Sequence, residues 1–457
     1  MSFRIEKDSL GEVKVPSNAL YSAQTQRAID NFPISFQQLP SVLIQAIASV
    51  KHASATTNEQ LGKLSAEQAS AIRQAAQEIM DGQWLDQFPI DVFQTGSGTS
   101  SNMNVNEVIA TRASQLSGLN IHPNDHVNMA QSSNDTFPSA IHIACVQQLH
   151  HALLPALTHL HTIIERKAIE CQDVVKTGRT HLMDAMPVRM GQELSGWAQQ
   201  IANNRTRIEQ TLPQLSALAQ GGTAVGTGVN THPEFAKLAI ANIATLTGSP
   251  YKETDNHFEA QATQDSAVEV SGQLRTIAVS LMKIANDIRW LASGPRCAVG
   301  EIYLPEIQPG SSIMPAKVNP VVCESVMMAC AHVMGNDTTI AVCGQHGNFE
   351  LNVMMPALAH NLLEAIELLA SAASNFNKNC VSGITANEER CRELAEKSLA
   401  TVTSLAPKIG YDKAAELAKR AMKEDKTVRA VAQEMKLLPE AELSRLLDLM
   451  AMTKPGL

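Results

Sequence analysis

Aromatic residues make up only 4% of this 457-residue chain, although hydrophobic residues make up 44%. A chain long enough for roughly two to four domains must then build its core from Ala, Leu, Ile, Val and Met, which favours packed helices over sheets. No run of eighteen apolar residues occurs, which excludes an ordinary membrane-spanning helix. The start, MSFRIEKDSLGE, lacks the apolar core of a signal peptide and carries acidic residues unlike a transit peptide, so a cytoplasmic location is expected. There is no CxxC pair. Cys145, Cys171, Cys297, Cys323, Cys330, Cys343, Cys380 and Cys391 show no cluster-like spacing and read as reduced core residues, with no metal or cofactor expected. Positive charge is also in deficit: 36 Lys and Arg stand against 45 Asp and Glu. That balance argues against nucleic acid or an anionic membrane as partner. It leaves room for a dianionic small substrate, which needs only local positive potential. No internal repeat or low-complexity segment stands out.

What the chain does have is helical periodicity. Between Asn256 and Gly294, Leu274, Ile277, Leu281, Ile284, Ile288 and Leu291 recur at alternating steps of three and four, with Gln273, Thr276, Ser280, Lys283 and Asp287 on the other side. The pattern predicts one helix of roughly 38 residues, about 57 Å long, which belongs in a bundle. A second runs from Ser139 to about Glu170 along Leu149, Leu153, Ala156, Leu160 and Ile163, with Pro155 expected to kink it. Further helices are predicted over Val188–Leu212, Pro320–Val342 and Phe349–Phe376. The fold class is therefore mainly α, with an elongated central helical bundle. The expected division is 1–135, short helices and loops; 136–355, the bundle; and 356–457, a final apolar helix leading into charged short helices around Tyr411 and Lys413. Apolar and small residues such as Val326, Met327, Ala329, Cys330 and Val333 exceed what a lone bundle needs to bury.

The densest chemistry lies in Gly310-Ser311-Ser312-Ile313-Met314-Pro315-Ala316-Lys317-Val318-Asn319-Pro320. Asn319 is a preferred helix N-cap and Pro320 suits the first helical position. The free N–H groups of such a helix start, joined by the Lys317 ammonium, suit a carboxylate. Gly310, Ser311 and Ser312 form a pliable loop that can bring a hydroxyl over it. GSS alone is more often a plain linker; the eleven-residue combination is far harder to reach by chance.

This motif resembles that of the fumarase, aspartase and argininosuccinate lyase superfamily, whose members eliminate water or an amine from a succinyl group and release fumarate. The resemblance extends from RIEKDSLGEVKVP through TGSGTSSNMNVNE, HPNDHVNMAQSSNDTFP, TGRTHLMDAMP, GGTAVGTG and KIANDIRWLASGPRC to ERCRELAEKSL and PKIGYDKAAELAKRA. Within the superfamily the chain is most similar to the class II fumarases, which use no metal. The resemblance implies a three-domain fold, a homotetramer whose central helices pack into one core, and active sites each assembled from three subunits. It implies Ser311 as general base, with Ser312 adding a contact and Lys317 and Asn319 holding a substrate carboxylate. It implies His181, in the turn Thr177-Gly178-Arg179-Thr180-His181 ahead of a helix start at Pro187, as the group that handles water, paired with Glu324.

Ser97 and Thr99 sit in a glycine-spaced hydroxyl loop, and Ser132, Ser133 and Asn134 precede a helix; each stretch alone reads as a turn or a cap. By resemblance these residues and Thr180 bind substrate. His122, Asn124 and Asp125 match a peripheral dicarboxylate site, although Leu119-Asn120-Ile121 stands where an arginine is usual. An ammonia-lyase of the superfamily usually carries glutamine at the position of His181 and STND in place of SSND, so His181 and Ser133 favour a hydratase. Ala316 replaces a usual glycine, and Val321-Val322 is closer to the ammonia-lyases. Two other readings are a noncatalytic structural member of the fold, which tends to lose chemical residues, and a cluster-dependent hydratase.

Overall fold

The computed structural model describes residues 2–456, mostly helical with five two-stranded sheets among them. By contact the chain divides into two units. One comprises the residues up to Pro155 with Thr206–Ala278 and Ala331–Ala370; the other comprises Ala156–Arg205, Val279–Cys330 and Ser371 onward.

The first unit opens with an antiparallel hairpin, β1 (Phe3–Asp8) and β2 (Gly11–Pro16). Helix α1 (Ala23–Asn31) follows, its first N–H groups taken not by a cap residue but by the buried Glu107 carboxylate, which accepts from Ser22, Gln24 and Thr25. Then come α2 (Ser41–Gln60), α3 (Ala66–Met80), α4 (Thr99–Ser117) and α5 (Ser133–Gln148). Helix α2 packs against α3, α4 and α5. Its buried side includes Ala46, Ala48, Ser49, Ala53, Ser54 and Ala55, so the shortage of aromatics is met by close helix approach. With 20 residues in α2 and 19 in α4, this N-terminal region holds longer helices than expected.

The helix expected over Ser139–Glu170 begins earlier, at Ser133, where Ser132 and Asp135 form a capping box. It passes through a wide turn at Leu149–Leu153 and continues as α6 (Leu154–Glu170). The wide turn accommodates Pro155, which lacks an N–H for the regular ladder. It also advances the buried stripe by one residue, so that Ile164 rather than Ile163 is buried. Strands β3 (Val175–Thr180) and β4 (Met183–Arg189) form a hairpin, followed by α7 (Met190–Leu215). Pro187 therefore lies within a strand and does not start a helix. Helix α8 (Phe235–Thr247) packs on α2.

The roughly 38-residue helix expected from Asn256 is interrupted. A short α9 (His257–Ala262), capped by Asn256, ends where Thr263 turns extended, and α10 (Asp265–Leu291) begins afresh. Within α10 the six predicted apolar residues are all buried; of the opposite side, Ser280 is buried too. Two further long helices follow, α11 (Val321–Gly344) and α12 (Met355–Asn379), the latter starting after a small hairpin that occupies Gly347–Asn352. In the second unit the C-terminal helices Tyr411–Glu424, Val428–Glu434 and Glu440–Leu446 close over Leu405, Leu417, Val431, Leu443 and Leu446. Seven of the cysteines are buried, but Cys297 is exposed, unlike the core residue expected there.

Candidate active site

The serine loop of the second unit is closed on itself. Asn319 Nδ2 donates to the Gly310 carbonyl at 2.6 Å, so this side chain ties the loop ends together and is not the helix cap expected. Helix α11 starts one residue later, at Val321, with Glu324 N donating to the Pro320 carbonyl. A Cβ on residue 310 would lie 2.0 Å from the Lys317 carbonyl oxygen, which is why the loop begins on glycine. Ser311 Oγ accepts the N–H groups of Met314 (3.0 Å) and Ile313 (3.3 Å). Two donors aimed at one hydroxyl oxygen favour its deprotonated form. Ser311 is half-buried, whereas Ser312 and Lys317 are exposed. Lys317, Asn319 and Glu324 line one cavity of about 370 Å³ with Asn286, Arg289 and Trp290.

Thr180 pairs with Met183, leaving His181 and Leu182 as a two-residue hairpin turn with φ of +56° and +60°. Such turns normally use Asn or Gly; two side chains held there store strain of about 1–3 kcal/mol each. The hairpin is anchored from beneath. Arg179 donates from both terminal nitrogens to the Glu301 carboxylate at 2.9 Å, and Lys176 Nζ lies 3.2 Å from Glu301 and 3.3 Å from Glu193. Burial works against the Arg179 charge, but Glu301 outweighs it and raises the arginine pKa. His181 and Thr180 are exposed at the tip. Within one chain His181 and Glu324 form no ion pair, among the described residues.

The remaining predicted residues belong to the first unit. Gly98, at φ +72°, leads into α4, and Ser97 and Thr99 share a hydrogen bond of 2.7 Å across it. A Cβ on residue 98 would meet the Phe137 ring at 2.2 Å, so the start of α4 rests on the N-terminal part of α5. There Ser132 Oγ accepts from Asn134 N, and the Asp135 carboxylate accepts from the backbone of Ser132, Gly221 and Thr223. Burial raises the pKa of Asp135 against those donors. Ser133 Oγ accepts from Asn102 Nδ2 at 3.0 Å, and Asn134 Nδ2 donates to the Ala224 carbonyl. The two hydroxyl-bearing loops are thus brought together. His122, Asn124 and Asp125 form a compact exposed turn in which His122 Nδ1 accepts the N–H groups of the other two.

The sequence reading missed the supports. Asp135 was accessible as the fourth residue of an S-x-x-D capping box. Asn102 lies within the TGSGTSSNMNVNE stretch without having been singled out, whereas Glu301 and Lys51 carry no local signal, because their importance depends on distant partners.

Residues 11–335 match the family described as Lyase, and residues 402–454 match the C-terminal region of fumarase C. A class II fumarate hydratase of Corynebacterium glutamicum is 53% identical over 456 residues, covering 98% of this chain and 96% of the relative. One of Yersinia pestis is 52% identical over 445 residues, covering 96% of each. Among solved structures, a recombinant class II fumarase from Schistosoma mansoni superposes with a TM-score of 0.96 at 40% identity, covering 100% of both chains.

Proposed function

The chain belongs to the class II fumarate hydratase family, and on that premise we propose that it interconverts fumarate and (S)-malate by a metal-independent anti-elimination through an aci-carboxylate. The proton on C3 of malate is hardly acidic, so the carbanion must spread its charge into the neighbouring carboxylate while donors surround that group. Ser311 takes the C3 proton as an alkoxide. The C2–O bond then breaks and the hydroxyl leaves as water with a proton from His181, whose basicity Glu324 raises. In the hydration direction the same groups exchange roles. Lys317 and Asn319, with Ser312, hold the carboxylate that accepts the charge; Ser97, Thr99, Ser132, Ser133, Asn134 and Thr180 bind the rest of the substrate.

The observation that carries this reading is the pair of N–H groups on Ser311 Oγ. They give an ordinary serine a reason to become a base next to a cation and a helix start. Among the described residues His181 and Glu324 form no ion pair within one chain, which fits a homotetramer with each site drawn from three subunits. Exposed Val279, Trp290, Met328 and Val342 on α10 and α11 support the same packing. We further propose a cytoplasmic enzyme of the tricarboxylic acid cycle with the three segments 1–135, 136–355 and 356–457 as domains, and a peripheral dicarboxylate site at His122, Asn124 and Asp125. Among the described residues no helix is long and apolar enough to cross a membrane.

The test follows fumarate absorbance after EDTA treatment under air, with L-malate and then L-aspartate as sole substrate. Malate-only turnover that survives the chelator is expected. Loss of activity with chelator would point to a cluster-dependent hydratase, aspartate turnover to an ammonia-lyase, and silence to both would favour a structural role.

A further inference from the structure

Lys51 is an amine-bearing side chain in the interior of the first unit, with 0% of its surface exposed. Burying an ammonium is costly, and an apolar side chain of similar length would avoid that cost. Its surroundings explain what it does. Nζ donates to Asn128 Oδ1 at 2.9 Å and to Gln131 Oε1 at 3.0 Å, and both acceptors lie in the segment that leads into Ser132 and Ser133.

Asn128 Oδ1 also receives Asn106 Nδ2 at 3.1 Å and Asn102 Nδ2 at 3.3 Å, and Asn102 Nδ2 reaches Ser133 Oγ at 3.0 Å. The same segment is fixed by Gln131 Nε2 on the carbonyls of Val127 and Met129, and by Asn58 Nδ2 on Met129. The cluster therefore joins a buried charge to a serine of the substrate loop through a single shared oxygen and one amide. Because Ser133 Oγ accepts from Asn102, its own proton is left to donate outward. Ser132 is in the same position, since its Oγ accepts from Asn134 N. Both hydroxyls, together with the partial positive charge at the start of α5, suit a carboxylate.

We propose that Lys51 is a positioning residue for the dicarboxylate substrate: from behind the loop it holds Asn128 and Gln131 so that Ser132, Ser133 and the α5 N-terminus present hydroxyl and N–H donors, backed by a buried positive charge, to one substrate carboxylate. This rests on the hydratase reading above. Lys51 acts through the loop and takes no part in proton transfer, so its removal weakens binding while leaving the chemical step in place.

The experiment compares wild type, Lys51→Met, Asn102→Ala, Ser133→Ala and the Lys51→Met/Ser133→Ala pair. Steady-state fumarate hydration is measured with calorimetric binding of succinate, a dicarboxylate that cannot react, and folding is checked by thermal melting. Lys51→Met is expected to raise KM and the succinate Kd roughly tenfold with kcat within about twofold, the size of one charge-assisted interaction. In the pair the effect should be less than additive, since the lysine works through the serine loop. A folded Lys51→Met enzyme with unchanged KM and Kd, or with only a lower melting temperature, would overturn the proposal. If Lys51→Met does not fold, Asn102→Ala decides: it severs Ser133 from the same cluster and must show the KM shift. Wild type inert towards fumarate and malate would sink the hydratase reading, whereas active wild type with indifferent variants sinks this inference alone.

Discussion

Arg179 holds both oxygens of Glu301 through hydrogen bonds of 2.9 Å, two residues before the strained His181 turn. Glu301 is fully buried and also faces Lys176, so one carboxylate balances two cations beneath the hairpin. Glu301→Gln leaves Arg179 without its counter-charge and Lys176 with Glu193 alone, and should cost about 3–5 kcal/mol, the penalty of breaking a buried ion pair. Denaturant unfolding measures it. A midpoint within experimental error of wild type would show that Lys176 and Arg179 are satisfied some other way.

Ser311→Ala removes the oxygen that receives the Met314 and Ile313 N–H groups, and His181→Asn removes the only ring at the hairpin tip. Each should lower kcat by roughly 10²–10⁴, the usual contribution of a positioned acid or base, with assembly unchanged by size-exclusion chromatography. Near-normal turnover in either variant would remove its assigned role.

The fold and much of the candidate site were legible where information is local. The six apolar residues of α10 are spaced for one buried stripe, and they line it. The break at Thr263 was not legible, because an extended residue between two helical patterns leaves the apolar spacing of the second undisturbed. The Pro187 misplacement has a similar cause: proline fits a first helical turn, but it also fits a strand whose N–H is not needed, and only the pairing with Thr177 decides. At the candidate site, Ser311 and Lys317 were singled out by a motif. Asn319 was read as a cap on propensity, and the closer partner, the Gly310 carbonyl nine residues back, won. Glu301 and Lys51 are single charged residues in unremarkable stretches, and nothing short of their tertiary partners marks them.

Ala316 occupies φ +65°, in the region that glycine enters freely. A side chain there costs about 1 kcal/mol, more than the added chain entropy a glycine brings on unfolding. Ala316→Gly should therefore favour the closed serine loop. Tryptic cleavage after Lys317 is expected to slow, and kcat/KM to rise by no more than about fivefold, the equivalent of that energy. Faster cleavage would mean that the loop gains more from freedom than it loses in strain.

Burial lowers the Lys51 pKa from its ordinary 10.5 to about 7, and Asp135 is the charged group whose field opposes the shift. Its other partners, Asn128 and Gln131, are neutral. The folded pKa lies below the unfolded one, so between about pH 7 and 10.5 the unfolded chain holds a proton that the folded chain has released. Stability then rises with pH across that window, by up to about 1.4 kcal/mol per unit, and the cost of the buried charge is fully present only below it. The substrate should respond in the opposite sense. As the ammonium loses its proton above pH 7, the charge behind Ser132 and Ser133 fades and KM for the dicarboxylate climbs. Denaturant unfolding and KM profiles from pH 6 to 9, each taken as the difference between wild type and Lys51→Met, isolate this residue from other titrating groups. Both differences should change together; a flat pair of curves would place the lysine proton outside this range and leave only its hydrogen bonds to act.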